Sequence, residues 1–136
     1  MPDISKIKRD ATAEIEGVEV PFIIPGITLR IARSGNPRYR KRLAELAEEY
    51  RATAKVVEIP DDAWDKIVQR AGSETVLVGW TGVEEGDPLV TVPYSHEKAF
   101  EFLSDPAYAD VAAFVARQCN EAESYRLSAR KKNLGN

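Results

Sequence analysis

Apolar and polar residues alternate along the first part of the chain, which is the period of a β-strand. Gly17 separates a first alternating run from a second, and Pro25-Gly26 separates the second from a third. We therefore predict a small antiparallel β-meander over residues 11–33. Pro21 lies inside the middle run and cannot donate a ladder hydrogen bond, so this strand is expected at an edge or bent. The apolar positions of the three runs are Ala13, Ile15, Val18, Val20, Phe22, Ile27, Leu29 and Ile31.

The rest of the chain carries the three-to-four-residue period of amphipathic helices. Asn36-Pro37 is an N-cap residue followed by a proline at the first helical position, and it opens a helix that is expected to cover the meander. Ser95 and Asp105-Pro106 give similar start signals. The run 76–80 fits the end of a helix or a buried strand, and both interpretations stay open. The predicted helices span residues 36–57, 61–80, 95–104 and 106–129.

These elements predict an α+β fold, mainly α, in which a short N-terminal antiparallel β-meander packs on a four-helix body. Turn residues are dense over 82–88, so the chain is expected to reverse there before a short extended piece. The chain has 136 residues, the size of one domain, and the predicted domain covers residues 1–130. Residues 131–136 have no core pattern and are expected to form a flexible tail.

Composition and charge exclude several classes of protein. Hydrophobic residues make up 43% of the chain, enough for a packed core, and a net charge of −3 gives no global basic field. No apolar run approaches the roughly 20 residues that cross a bilayer, and no signal region is visible, so we expect a cytoplasmic protein without a membrane partner. Cys119 and His96 are the only residues of their types, which excludes an internal disulfide and a Cys/His zinc site.

No convincing catalytic set is found in the sequence. A Ser/His/acid triad would have to use His96, whose neighbour Ser95 is expected to cap a helix. Asp61-Asp62 and the acidic run 84–87 match metal-binding motifs weakly, and a helix start and a turn are the favoured interpretations. We therefore predict a protein that is not an enzyme, with no cofactor and no metal.

A basic cluster with an aromatic residue inside it occupies residues 38–42, a pattern that suits phosphate contacts and base stacking. Tyr39, however, falls on the apolar stripe of its helix, and helix-surface ion pairs can take up the charges. A solvated or protein-binding face is favoured over nucleic acid. The candidate partner-surface residues are Arg38, Arg40, Lys41 and Arg42, together with Glu121 and Arg126 on the last predicted helix.

An ordered series of motifs occupies the second half of the chain. Val78-Gly79-Trp80-Thr81-Gly82-Val83 is followed by an acidic, glycine-containing turn, and Pro93-Tyr94-Ser95 then opens a helix. Over about residues 19 to 133, this series resembles the tail assembly chaperones of long-tailed bacteriophages. Residues 88–92 look inserted relative to that family, and the N-terminal strands extend further. The matching residues are Gly79, Trp80, Gly82, Val83, Gly86, Pro93, Tyr94 and Ser95.

The resemblance implies a non-enzymatic protein that binds the tape-measure protein and tail-tube subunits during tail morphogenesis and is absent from the mature virion. Trp80 and Tyr94 are expected to be core anchors in preference to partner contacts. Members of that family are often also made in a longer, frameshifted form, and Lys131-Lys132-Asn133 is compatible with a slippery codon run. Self-association stays open. So do two other functions, a neck or tail subunit retained in the virion and a small nucleic-acid-binding regulator.

Overall fold

The fold is α+β and mainly α, as the sequence predicts. The structure is a computed structural model that describes residues 2–126, the side chains of residues 122 and 123 excepted. The helices are α1 (Ala11–Glu16), α2 (Pro37–Ala54), α3 (Asp61–Thr75), α4 (His96–Ser104) and α5 (Ala109–Gln118). The strands are β1 (Val18–Pro21), β2 (Thr28–Ile31), β3 (Leu77–Thr81), β4 (Glu84–Glu85) and β5 (Val90–Thr91). Three 3₁₀ turns span Ile4–Ile7, Pro106–Tyr108 and Ala122–Tyr125.

Strands β1, β2 and β3 form an antiparallel sheet in that order. Leu29 of β2 pairs with Val20 on one side and with Trp80 on the other. The predicted pairing of the second and third alternating runs is confirmed, and Pro21 lies on an edge strand. Strands β4 and β5 form a separate two-stranded hairpin in the region where the turn was predicted.

The run left open at 76–80 is a strand, so the predicted helix 61–80 is too long. Helix α3 ends at Thr75, and β3 begins at Leu77. β-branched residues and Gly79 lower the helix propensity of this segment. Leu77 is fully buried and pairs with Ile31, so the non-local contact with β2 decides the conformation.

Residues 11–16 form helix α1 and correct the first strand of the predicted meander. The Asp10 carboxylate accepts hydrogen bonds from the backbone N–H groups of Thr12 and Ala13, at 3.1 and 3.2 Å. Gly17 ends the helix with φ at 92°. A run of six residues is too short to separate a period of 2 from one of 3.6, and β3 takes the third place in the sheet instead.

Helices α4 and α5 cover the sheet, and this corrects the role expected of the helix after Asn36. The core cluster joins residues of β2 and β3 to residues of both helices, and Tyr39 of α2 packs only at its margin. Helix α2 instead packs mainly against α3. The end of its predicted apolar stripe lies outside the core, where Val57 is 86% exposed. The buried core consists of Leu29, Ile31, Val76, Leu77, Ala99, Phe114, Val115 and Cys119.

Two predicted helix caps are confirmed by their hydrogen bonds. The Asn36 side chain accepts from the N–H of Tyr39 at 3.0 Å, and the Ser95 hydroxyl accepts from the N–H of Lys98 at 3.1 Å. The helices that they open end at Ala54 and Ser104, the first of them three residues before the predicted end.

The predicted helix 106–129 is divided into three pieces. Asp105 caps the turn Pro106–Tyr108, α5 follows and ends at Gln118, and a second turn leads to Tyr125. Tyr125 is fully buried, and its hydroxyl donates to the Ile31 carbonyl at 2.9 Å. The chain therefore returns to the sheet instead of continuing as a helix. The rest of the predicted helix and the predicted tail 131–136 lie outside the described residues.

Candidate partner-binding groove

An apolar groove of about 150 Å³ opens between the β1–β2 turn, the start of the β4–β5 hairpin and helix α5. Its walls are apolar side chains from segments that are far apart in sequence. Ile24, which is 53% exposed, and the exposed Glu84 and Glu85 also line it, at the surface. The principal apolar residues of the groove are Phe22, Ile27, Leu77, Val83, Phe102 and Val111.

Trp80 holds strand β3 to the segment after the hairpin. Its indole Nε1–H donates to the Val92 carbonyl at 2.8 Å. Its ring meets the Tyr94 ring edge-on at 4.9 Å and lies 5.2 Å from the Phe102 ring. Because Phe102 also lines the groove, Trp80 packs against one residue of the groove wall and supports it.

Tyr94 joins the end of helix α3 to strand β3. Its hydroxyl lies 2.8 Å from the carbonyl oxygens of both Ser73 and Leu77, and its proton can be donated to either. Burial raises the pKa of Tyr94 to about 12, so the hydroxyl stays a donor throughout the neutral range. Leu77 lines the groove, so Tyr94 also fixes the backbone of a groove residue.

Gly82 brings the end of β3 against the β1–β2 turn. Its φ is 79°, and a Cβ at this position would collide with the Gly26 carbonyl oxygen. Only glycine permits this close approach without strain. The next residue, Val83, is buried and enters the groove wall, and Ile24 and Ile27 of the opposing turn also line the groove.

The other residues of the motif series shape the chain around the groove. Gly79 lies in β3 with its Cα facing Arg30, and Gly86 has a positive φ of 92° in the β4–β5 turn. Pro93 is exposed, and Ser95 caps α4. The eight matching residues therefore supply backbone turns, a cap and partly buried aromatic anchors, and Val83 is the one among them that lines the groove.

The groove has an acidic edge. The Tyr108 hydroxyl donates to Glu85 at 2.8 Å, and the Lys98 ammonium lies 2.9 Å from the other Glu85 oxygen. These two donors hold the pKa of Glu85 below its usual value. Glu85, and then Glu101, raise the pKa of Lys98. Glu84 makes no ion pair within residues 2–126, so its charge is uncompensated there.

None of the partner-surface residues predicted from sequence lines the groove. Arg38, Arg40 and Lys41 are exposed on the first turns of α2, whereas Arg42 is paired with Glu74 at 3.1 Å and with Glu45 at 3.8 Å. The four basic residues are thus divided between solvent and an ion-pair cluster.

Glu121 and Arg126 both lie beyond the end of α5, which corrects their predicted place on a helix. Glu121 is exposed. Arg126 is half-buried and pairs its backbone with Arg9 as an isolated bridge. The sequence signal that was overlooked is Ile23-Ile24, because two large apolar residues directly before a Pro-Gly turn have no obvious place in the core.

The residues that the sequence offered for metal binding or catalysis lie at helix starts and in the core. Within residues 2–126, no group of His, Cys, Asp or Glu is placed to hold a metal ion, and no helix is long and apolar enough to cross a membrane. His96 is the exposed first residue of α4. Asp61 and Asp62 are exposed in the first turn of α3. Burial raises the pKa of Cys119, which suits an unreactive core thiol.

The comparison with protein families gives a match over most of the chain. The family model described as YdaY prophage protein matches residues 34–136. This range begins just before α2 and includes the whole motif series and most of the elements that build the groove. No curated protein and no solved structure matches the chain. The chain therefore belongs to the YdaY prophage protein family and is encoded by a phage or prophage.

Proposed function

We propose that this prophage protein is a tail assembly chaperone, which binds the tape-measure protein and tail-tube subunits during tail morphogenesis and then leaves. It works without catalysis and is not retained in the mature virion. The observation that carries the proposal is the apolar groove, because Trp80, Gly82 and Tyr94 of the motif series support its walls. The sequence resemblance and a surface suited to binding therefore depend on the same residues.

The physical requirement for such a protein is clear. A tape-measure protein is long and helical, and its apolar surface is open to wrong association until the tail tube surrounds it. A small protein that covers part of that surface needs an exposed apolar site of its own. Ile24, which lines the groove, is 53% exposed, and its chain neighbour Ile23 is 60% exposed. Such a pair of exposed large apolar residues supports binding to a protein partner.

The β1 edge of the sheet gives less support to a virion subunit that assembles by pairing of its N-terminal strands. The Phe22 N–H donates inward to the Ile27 carbonyl at 2.9 Å. Neighbouring residues of a strand point their N–H groups to opposite sides. A residue at position 21 would therefore point its N–H outward from β1, toward a further strand. Pro21 has no N–H to present, and the edge is therefore poorly suited to accept another strand.

Co-expression tests the proposal. The chain is produced together with the tape-measure protein of the same prophage, and with an unrelated acidic protein of similar size as the control. We expect the tape-measure protein to be recovered in the supernatant and to co-purify when it is produced with this chain, but not when it is produced with the control protein. If it neither binds nor gains solubility, the chaperone function is refuted. Mass spectrometry of purified particles then provides the second check, because a chaperone is absent and a structural subunit is present in fixed copy number.

A further inference from the structure

We infer that the apolar groove accepts one large apolar side chain from an amphipathic helix of the tape-measure protein, and that a Lys or Arg one turn away on that helix pairs with Glu84. The inference rests on the proposed function and adds the binding site and the chemistry that it recognises.

The size of the groove sets the size of the inserted group. A volume of about 150 Å³ is comparable to apolar protein cavities that hold one benzene-sized molecule. The lining offers apolar side chains, Tyr108 with its hydroxyl bound to Glu85 and, at the surface, two carboxylates. The inner part therefore suits the end of a Leu, Met or Phe side chain, which needs no hydrogen-bond partner.

The charge at the edge sets the character of the flanking residue. Glu85 is already engaged by Lys98 and Tyr108, whereas Glu84 makes no ion pair in the described part of the chain. A partner that covers Glu84 without bringing a cation would leave a partly desolvated charge unpaired, which is unfavourable. A basic residue on the partner removes this penalty. An acidic partner is disfavoured for the same reason.

The secondary structure of the partner follows from the spacing required. Residues three or four apart on a helix have Cβ atoms about 5–6 Å apart, so an apolar anchor and a basic residue can face one surface together. An extended partner that paired with the β1 edge would meet Pro21, which directly precedes the groove residue Phe22 and has no N–H to offer.

The experiment measures binding of the tape-measure protein to purified variants of the full chain. Ile24→Asp places a charge in the apolar groove, at a site exposed enough to leave the fold intact. We expect it to weaken binding about tenfold or more, as for an anchor contact. Val57→Asp is the matched control, because Val57 is an exposed apolar residue outside the groove, and it should bind within about twofold of wild type. Thermal melts check that each variant is folded.

A second pair of variants tests the charge. Glu84→Lys should weaken binding about fivefold at low salt. The difference from wild type should shrink at about 0.5 M salt, because the electrostatic screening length is then only a few ångströms. Glu48→Lys, at an exposed glutamate of α2, is the control. If wild type binds but Ile24→Asp or Glu84→Lys binds equally well, the groove inference is overturned and the chaperone function stands. If wild type does not bind, the proposed function fails and the inference fails with it.

Discussion

Gly82→Ala should destabilise the protein in a way that reports the contact between β3 and the β1–β2 turn. Gly82 has φ at 79°, and an added Cβ would collide with the Gly26 carbonyl oxygen and lie 3.0 Å from the Gly26 carbonyl carbon. Both obstacles are backbone atoms, so the whole turn has to move. The matched control is Gly35→Ala, because Gly35 has φ at 74° but no atom within 4 Å of the added Cβ.

The two variants share one cost and differ in another. Left-handed backbone costs a residue with a Cβ about 1–2 kcal/mol, and the loss of unfolded-state freedom returns about 0.4–1 kcal/mol. Displacing the turn adds about 1–3 kcal/mol for Gly82→Ala, as overpacking usually does. We therefore expect losses of about 1 kcal/mol for Gly35→Ala and about 3 kcal/mol for Gly82→Ala.

Urea denaturation followed by circular dichroism measures the two free energies of unfolding, and thermal melts should place Gly82→Ala lower by several degrees. Equal losses in the two variants would refute the reasoning, because they would mean that the turn does not press on Gly82. Since that turn carries Ile24 and Ile27, Gly82→Ala should also weaken binding of the tape-measure protein, and Gly35→Ala should not.

Three further predictions concern buried hydrogen bonds. Asn36 is 1% exposed and donates to the carbonyl oxygens of Arg33 and Thr75 in addition to capping α2. Asn36→Ala should therefore lower the free energy of unfolding by about 2–4 kcal/mol in urea denaturation. A loss under about 1 kcal/mol would contradict this. Tyr125→Phe removes the buried donor to the Ile31 carbonyl and should cost about 1–2 kcal/mol, and an unchanged stability would show that this bond contributes nothing. Burial raises the pKa of Tyr94 from 10.0 to about 12, so the folded state favours the protonated phenol. The contribution of Tyr94 to the free energy of unfolding should be constant below pH 10 and fall as the pH rises from 10 to about 12. Tyr94→Phe should therefore make the loss of stability over that range shallower in denaturation curves, and an identical slope in the variant would count against the assignment.

Sequence reasoning succeeded where the decisive interactions are local. The Asn36 and Ser95 caps use hydrogen bonds that span three residues, and the β1–β2 pairing depends on one short turn. The same reasoning missed α1, because six residues carry too little periodicity to identify an element. Its signal was the Asp10 cap and the Gly17 terminator, which are also local and could have been recognised.

Only the tertiary structure identified the segment after Thr75 as a strand. The segment 76–80 is apolar in both interpretations, and only its pairing with β2 makes it a strand. Likewise, Tyr125 continues a helical pattern in the sequence, yet its contacts with Ile31 and Asp10 bring it back to the sheet. In both segments a non-local contact outweighs a weak local preference.

By itself, the sequence determined the fold class, the main helix starts, the edge position of Pro21 and the motif series that the chaperone resemblance uses. It did not locate the groove. Ile24, Val83 and Val111 line one groove although almost ninety positions separate the first from the last. Helical and strand periods indicate which face of one element is apolar, but they do not indicate which faces pack against each other. That is decided by packing, here by the close approach of Gly82 to Gly26 and by the placement of α4 and α5 on the sheet.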